Sequence, residues 1–333
     1  MVEATAVQAN GRITPEDSGI WLDAHIDTLR KHVQFAHSQN AKIAIQLAHA
    51  GRKASTVAPW LSSGATAEKV AGGWPDDVYG PSEEPFDPHY PTPRAMTLKE
   101  IEQLKEDFVK AALRSIDAGF DVLELHFAHG YLVSSFLSPA TNKRTDQYGG
   151  SFENRTRLAL ELAEAVRAVM PKGMPLFARI SATDWLEENP DFPESWTVEQ
   201  SAEFAKLLAQ KGVDVLDVSS GGNHKLQKVK GGPGYQAPFA KYIKKAVGDS
   251  LLISSVGSIK TGTDAEAIIS GGKDEGDVPI DLIAAGRMFQ KNPGLVWAFA
   301  DDLGIEVRVA NQIGWGFGGR GGKKTEYVKL GDA

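Results

Sequence analysis

Seven apolar runs of strand length, at residues 2–7, 42–47, 122–126, 175–180, 213–219, 251–256 and 281–286, alternate with stretches of helical period at 98–118, 155–170, 198–212 and 263–270. The runs are rich in Val, Ile and Leu and lack two-residue alternation, the pattern of strands covered on both faces. Strands joined by helices pair in parallel, so the alternation predicts an α/β chain built on a parallel sheet. One helix carries its own punctuation: Thr197 and Gln200 stand at capping-box spacing, and Gly212 ends the segment. With 333 residues, the expected architecture is a single (β/α)8 TIM barrel domain over 1–333. Such a barrel closes with eight strands. The first run begins at residue 2, so the deficit falls at the N-terminus, and the expectation is a barrel whose first strand and helix are missing.

Composition narrows the partners. Hydrophobic residues at 42% and charged residues at 24% are those of an ordinary globular chain. A net charge of -7 gives no general attraction to nucleic acid or anionic membrane surfaces, so neither is expected. The absence of cysteine excludes disulfides, thiolate metal sites and cysteine nucleophiles. The opening MVEATAVQANGRITP has neither the basic flank nor the apolar stretch of a signal peptide, and a cytoplasmic protein is expected. A small molecule is the expected partner, and a homo-oligomer is compatible with the chain. Residues 48–96, proline-rich and without sustained period, follow a strand and read as a lid over the barrel mouth; a decorative surface insertion is the alternative. Residues 305–333 form a C-terminal tail.

Active sites of parallel α/β barrels lie on the loops that follow the strands. After Val122, Leu123, Glu124 and Leu125 the chain continues HFAHGYL, placing His126, His129 and Tyr131 at a strand exit. A lone histidine there is usually a satisfied core residue. Two with a tyrosine are better read as catalytic, because imidazoles donate to a carbonyl oxygen and a phenol delivers a proton. No third ligand stands at metal-site spacing, so no metal is expected. Gln46 ends an earlier strand and can donate to and accept from a planar heterocycle, or equally satisfy loop backbone. Arg179, inside LFARI, needs an anionic or strongly accepting partner, and an ion pair with Asp184 or Glu124 would serve as well as a ligand. The last two runs end in Gly257 and in Gly286 followed by Arg287, where backbone can approach a phosphate closely and a guanidinium can grip it. No GxGxxG opens a helix after a strand, so a Rossmann dinucleotide site is not expected.

These residues together resemble the Old Yellow Enzyme family of flavin-dependent ene-reductases. The likeness runs through VEATAV, GRITPEDSGIW, IQLAHAGRKAS, ELHFAHGYLVSSFLSPATNKRTDQYGGSFENRTRL, FARISATDW, SSVGSI, AAGRMFQKNP and ANQIGWGFGGR, nearly the whole chain. It implies an FMN-containing barrel in which NADPH (or NADH) reduces the flavin and the flavin reduces an activated alkene. Residue by residue, it implies that Ala4, Gln46 and Arg179 surround the isoalloxazine ring, with Arg179 stabilising negative charge on the reduced ring. It puts Gly286 and Arg287 at the phosphate. His126 and His129 would hold an enone-type carbonyl oxygen, Tyr131 would supply the proton, and Trp315 or Arg320 would reach an active site, its own or that of a neighbouring subunit. The family's N-terminal strand, with its Pro-Met-type FMN contact, and the helix after it are absent, in keeping with the count of seven. That absence predicts an incomplete gene product, or a remnant that folds poorly and binds FMN weakly. Two rivals follow: a catalytically silent flavin-binding remnant, and a barrel hydrolase using carboxylates such as Glu124 and Asp184.

Overall fold

The computed structural model describes residues 1–62, 64–271 and 277–318. Its main sheet has seven parallel strands in spatial order β1 (Val2–Ala6), β2 (Ala44–Ala48), β5 (Val122–Phe127), β6 (Leu176–Ser181), β7 (Val215–Ser219), β8 (Leu252–Val256) and β9 (Leu282–Ala284). All seven expected runs are strands, shifted at their ends by up to two residues. The two short strands β3 (Tyr79–Gly80) and β4 (Arg94–Ala95) pair separately, within the segment read as structureless.

Helices return the chain between strands: α1 (Ile26–Ser38), α2 (Leu98–Ala118), α3 (Leu132–Leu137), α4 (Phe152–Val169), α5 (Val198–Gln210), α6 (Ala237–Val247) and α7 (Gly262–Ile269). After β9 come α8 (Arg287–Lys291), α9 (Leu295–Leu303) and α10 (Asn311–Gly318). The reasons are local. At α2, Thr97 accepts from the Glu100 amide while Glu100 reaches back to the Thr97 amide, and Gly119 closes the helix at a φ of 96°. Its Ile101, Leu104, Phe108, Ala111 and Ala112 form one buried stripe. Only half of the expected box at α5 forms: Thr197 accepts from the Gln200 amide, whereas Gln200 Oε1 is buried without a partner.

Parallel register positions the interior. Along β5 the odd residues Leu123, Leu125 and Phe127 join the helix-facing core, so Glu124 and His126 share the opposite face. Ala4 lies beside Gln46 and Gln46 beside Glu124; one step along, His126 lies beside Arg179, Arg179 beside Asp217, and Asp217 beside Ser254. Polar side chains from five neighbouring strands, β2 and β5 to β8, thereby share one interior. Among the described residues, no helix is long and apolar enough to cross a membrane.

Candidate active site

The turn after β5 is built under constraint. His129 has a φ of 63°, unfavourable for a residue with a Cβ, and Gly130 follows at 68°. A Cβ on Gly130 would stand 2.1 Å from the Gly222 carbonyl oxygen, so the loops after β5 and β7 touch backbone to backbone. Ser181 at the end of β6 fixes the turn: its Oγ accepts from the His129 amide at 2.8 Å and donates to the Gly221 carbonyl at 2.7 Å. The turn then runs into α3, which Tyr131 immediately precedes.

This geometry brings the expected trio together. The His126 ring lies 5.2 Å from that of His129 and 5.3 Å from that of Tyr131, centre to centre. His126 and Tyr131 line a small cleft with Ala4, Ala6, Ala48 and Ala50. Larger clefts exist, beside α6 and α7 and beside the start of α4, but neither holds any residue of the trio, and the chemistry selects the small one.

Protonation states follow from burial. His126 is pushed down to about 3, first by desolvation and then by the charges of Arg179 and Lys53. Desolvation, followed by His126, Arg179 and Lys53, holds His129 well below its ordinary value. Both rings are therefore neutral at physiological pH. Burial pushes Tyr131 up to about 12, so its phenol keeps its proton. His126 Nδ1 is buried without a hydrogen-bond partner. His129 Nε2 lies 2.7 Å from Ser219 Oγ. A neutral His129 that donates through Nδ1 must take its Nε2 hydrogen bond from the Ser219 hydroxyl. That hydroxyl can turn, since Ser220 separately donates to the same Gln236 oxygen at 2.6 Å.

Arg179 pairs with Asp217, not with Asp184 or Glu124. Its Nε lies 3.1 Å from Asp217 Oδ2 at an angle that makes no hydrogen bond, leaving Nε and Asp217 Oδ1 both buried without one. Gln46 donates to Glu124 Oε1 at 2.5 Å. Desolvation and the neighbouring Asp217 push Glu124 up to about 7, against the pull of Gln46 and Arg179. Asp184 is occupied elsewhere, accepting from Ser138 Oγ, the Trp196 amide and Asn223 Nδ2. The carboxylate pair that a hydrolase would need is therefore not formed by Glu124 and Asp184. At the far side of the sheet, Val256 of β8 pairs with Ala284 of β9, so Gly257 and Gly286 end adjacent strands and Arg287 opens α8. Trp315 is exposed on α10, and Arg320 lies outside the described residues.

Residues 48–96 reach the site through Lys53 and Phe86, whose ring lies 4.0 Å from Lys53 Nζ. Lys53 and Ser181 fall inside the segments IQLAHAGRKAS and FARISATDW without a role read for them there, and Asp217 and Ser219 fall outside the quoted segments. Their partners follow only from which strands become neighbours.

The sequence matches the model of the NADH:flavin oxidoreductase / NADH oxidase family over residues 1–304. An NADH:flavin oxidoreductase of Gibberella zeae is 55% identical over 328 residues, 96% of this chain and 78% of that protein. An NADPH dehydrogenase of Geobacillus sp. is 41% identical over 319 residues, 95% of this chain and 84% of its own. Among solved structures, morphinone reductase superimposes with a TM-score of 0.69 at 26% identity, over 92% of this chain and 77% of that one. The sheet and its helices are thus those of an α/β barrel, and the likeness to Old Yellow Enzymes read from the motifs agrees with the whole-chain match. The chain belongs to the NADH:flavin oxidoreductase / NADH oxidase family of FMN-dependent oxidoreductases.

Proposed function

We propose that the chain reduces the activated C=C bond of an α,β-unsaturated carbonyl compound, using FMN and NAD(P)H in ping-pong fashion. The observation that carries this reading is the convergence of two neutral imidazoles and a protonated phenol on one turn, beside an alanine-lined cleft. FMN, when bound, supplies a hydride that it has taken from NAD(P)H. The residues present fit such a group. Arg179 Nε and His126 Nδ1 are buried polar atoms without hydrogen bonds, and Ala4 lies beside Gln46. Among the described residues, no further atom stands within 4 Å of where a Cβ on Gly286 would be, and Arg287 is exposed. Arg179 and Gln46 would hold the ring, and Gly257, Gly286 and Arg287 the phosphate.

His126 and His129 then donate to the substrate carbonyl oxygen, drawing electron density from the alkene. The Tyr131 phenol, uncharged throughout the physiological range, gives its proton to the α-carbon as hydride reaches the β-carbon. NAD(P)H and the enone use the same site in turn, which makes the kinetics ping-pong. Segment 48–96 serves as the lid, and the protein works in the cytoplasm.

Denaturing the purified protein should release FMN and no FAD, since one phosphate site can be assembled from the strand ends and no adenine-binding fingerprint exists. Release of FAD would contradict the reading, as would a colourless protein that takes up no added flavin.

A further inference from the structure

Lys53 is half-buried beside the site, yet among the described residues it pairs with no carboxylate. Its Nζ donates to the His129 carbonyl at 2.8 Å and to the Gly222 carbonyl, and lies over the rings of Phe86 at 4.0 Å and Tyr131 at 5.5 Å. A lysine ammonium in such surroundings is costly unless it does something an apolar side chain could not. The two carbonyls it binds belong to the loops after β5 and β7, the pair that meets backbone to backbone at Gly130 and Gly222.

We propose that Lys53 is a positioning residue: its ammonium, seated between the carbonyl oxygens of His129 and Gly222, locks the loops after β5 and β7 together and fixes the left-handed turn that presents the His129 ring to substrate. Carbonyl oxygens are the negative ends of their dipoles, and two of them converging are better held by a cation than by a neutral donor. The ring above Nζ ties residues 48–96 to the same point, so the segment over the site and the histidine beneath it share one anchor.

The grip is sensitive to pH. Desolvation, then the adjacent charge of Arg52, pushes Lys53 down to about 7. The other titratable groups around it are Arg52 on its own turn, and His126, His129 and Tyr131 on and after β5. Arg52 is held lower, to about 10, by burial and stays cationic; the imidazoles stay neutral and the phenol protonated. Burial and the neighbouring Asp217 also push Glu124, deeper in β5, up from its ordinary value, so the comparison of variant with wild type carries the test rather than the wild-type profile alone.

The inference that His129 serves substrate rests on the proposed ene-reductase activity, whereas the clamp itself can be read without substrate. In the FMN-loaded oxidised protein, cyclohex-2-enone binding would be followed through the flavin spectrum from about pH 6 to about pH 8. Wild-type affinity should fall as pH rises, because the cation is lost. Lys53→Met should bind the enone about tenfold more weakly at the low end, as expected for loss of a charged hydrogen bond, and with no slope. Lys53→Arg, charged throughout, should also lose the slope. In both variants the FMN dissociation constant should stay at the wild-type value. Hydrogen exchange of the amides between Phe127 and Val133 should quicken in Lys53→Met. Unchanged affinity and slope would overturn the proposal, as would a loss of FMN affinity equal to the loss of enone affinity, which marks a merely structural lysine. If the wild type binds no enone, the activity reading fails alone, and unchanged exchange in Lys53→Met would then overturn the clamp on its own terms.

Discussion

Replacing Tyr131 with phenylalanine slows the reduction of an enone by ~10²-fold or more, while NADPH reduces the flavin at nearly the wild-type rate. Only the second half-reaction needs an acid at the α-carbon. The substitution removes one oxygen from a partly buried ring whose neighbours, His126 at 5.3 Å and Lys53 at 5.5 Å, are ring contacts that phenylalanine keeps. The turn should therefore survive, and stopped-flow measurement of each half-reaction separates the two effects. Because the phenol is pushed up to about 12 and both imidazoles stay neutral, titration of these three groups should itself add no slope to the rate at saturating enone across the physiological range. Equal loss in both half-reactions would remove Tyr131 from the acid's role. Replacing His126 and His129 together should act differently, weakening the binding of phenolic ligands that mimic the enone oxygen.

A version of the chain that places one further strand and helix ahead of Val2 should melt higher and bind FMN more tightly. The two outer strands of the sheet, β1 and β9, each have a side to which no described strand is hydrogen-bonded. Packing shows the consequence. Leu125 on β5 and Leu216 on β7 are fully buried, whereas Leu282 on the three-residue β9 is 39% exposed and Ile283 and Val2 are only partly covered. Burying an aliphatic side chain contributes roughly 1.5–3 kcal/mol, so covering several of these positions and pairing both edges amounts to several kcal/mol, a large share of a typical domain's stability. Thermal melts and FMN titrations of the two forms decide the matter. Equal melting points and equal FMN affinities would mean that the short sheet satisfies its own edges.

Sheet order was legible because each strand falls in a short run rich in Val, Ile or Leu, and a parallel α/β chain with runs in sequence order has few alternative topologies. The helices α1 and α6 were not. In α1 only Leu29 and Val33 are fully buried, too thin a stripe to stand out among Arg30, Lys31 and His32, and α6 is short and interrupted near its start by Pro238. At the site, His126, His129 and Tyr131 were legible because they are close in sequence and follow a clear strand. Asp217 as the partner of Arg179 was not, because that pairing depends on β6 and β7 lying side by side in a register that brings the two residues level. Lys53 was hidden for the same reason: it reaches backbone carbonyls 76 and 169 residues away.

The proposed activity requires one site to accept hydride from NAD(P)H and pass it to an enone. Anaerobic titration of the purified yellow protein tests it directly: NADPH should bleach the flavin absorbance, and cyclohex-2-enone added afterwards, with oxygen excluded, should restore it while yielding cyclohexanone in equal amount. A flavin that NADPH leaves yellow would make the chain a silent flavin-binding protein, and one that bleaches but stays bleached in the presence of the enone would contradict the assignment of His126, His129 and Tyr131 to alkene reduction.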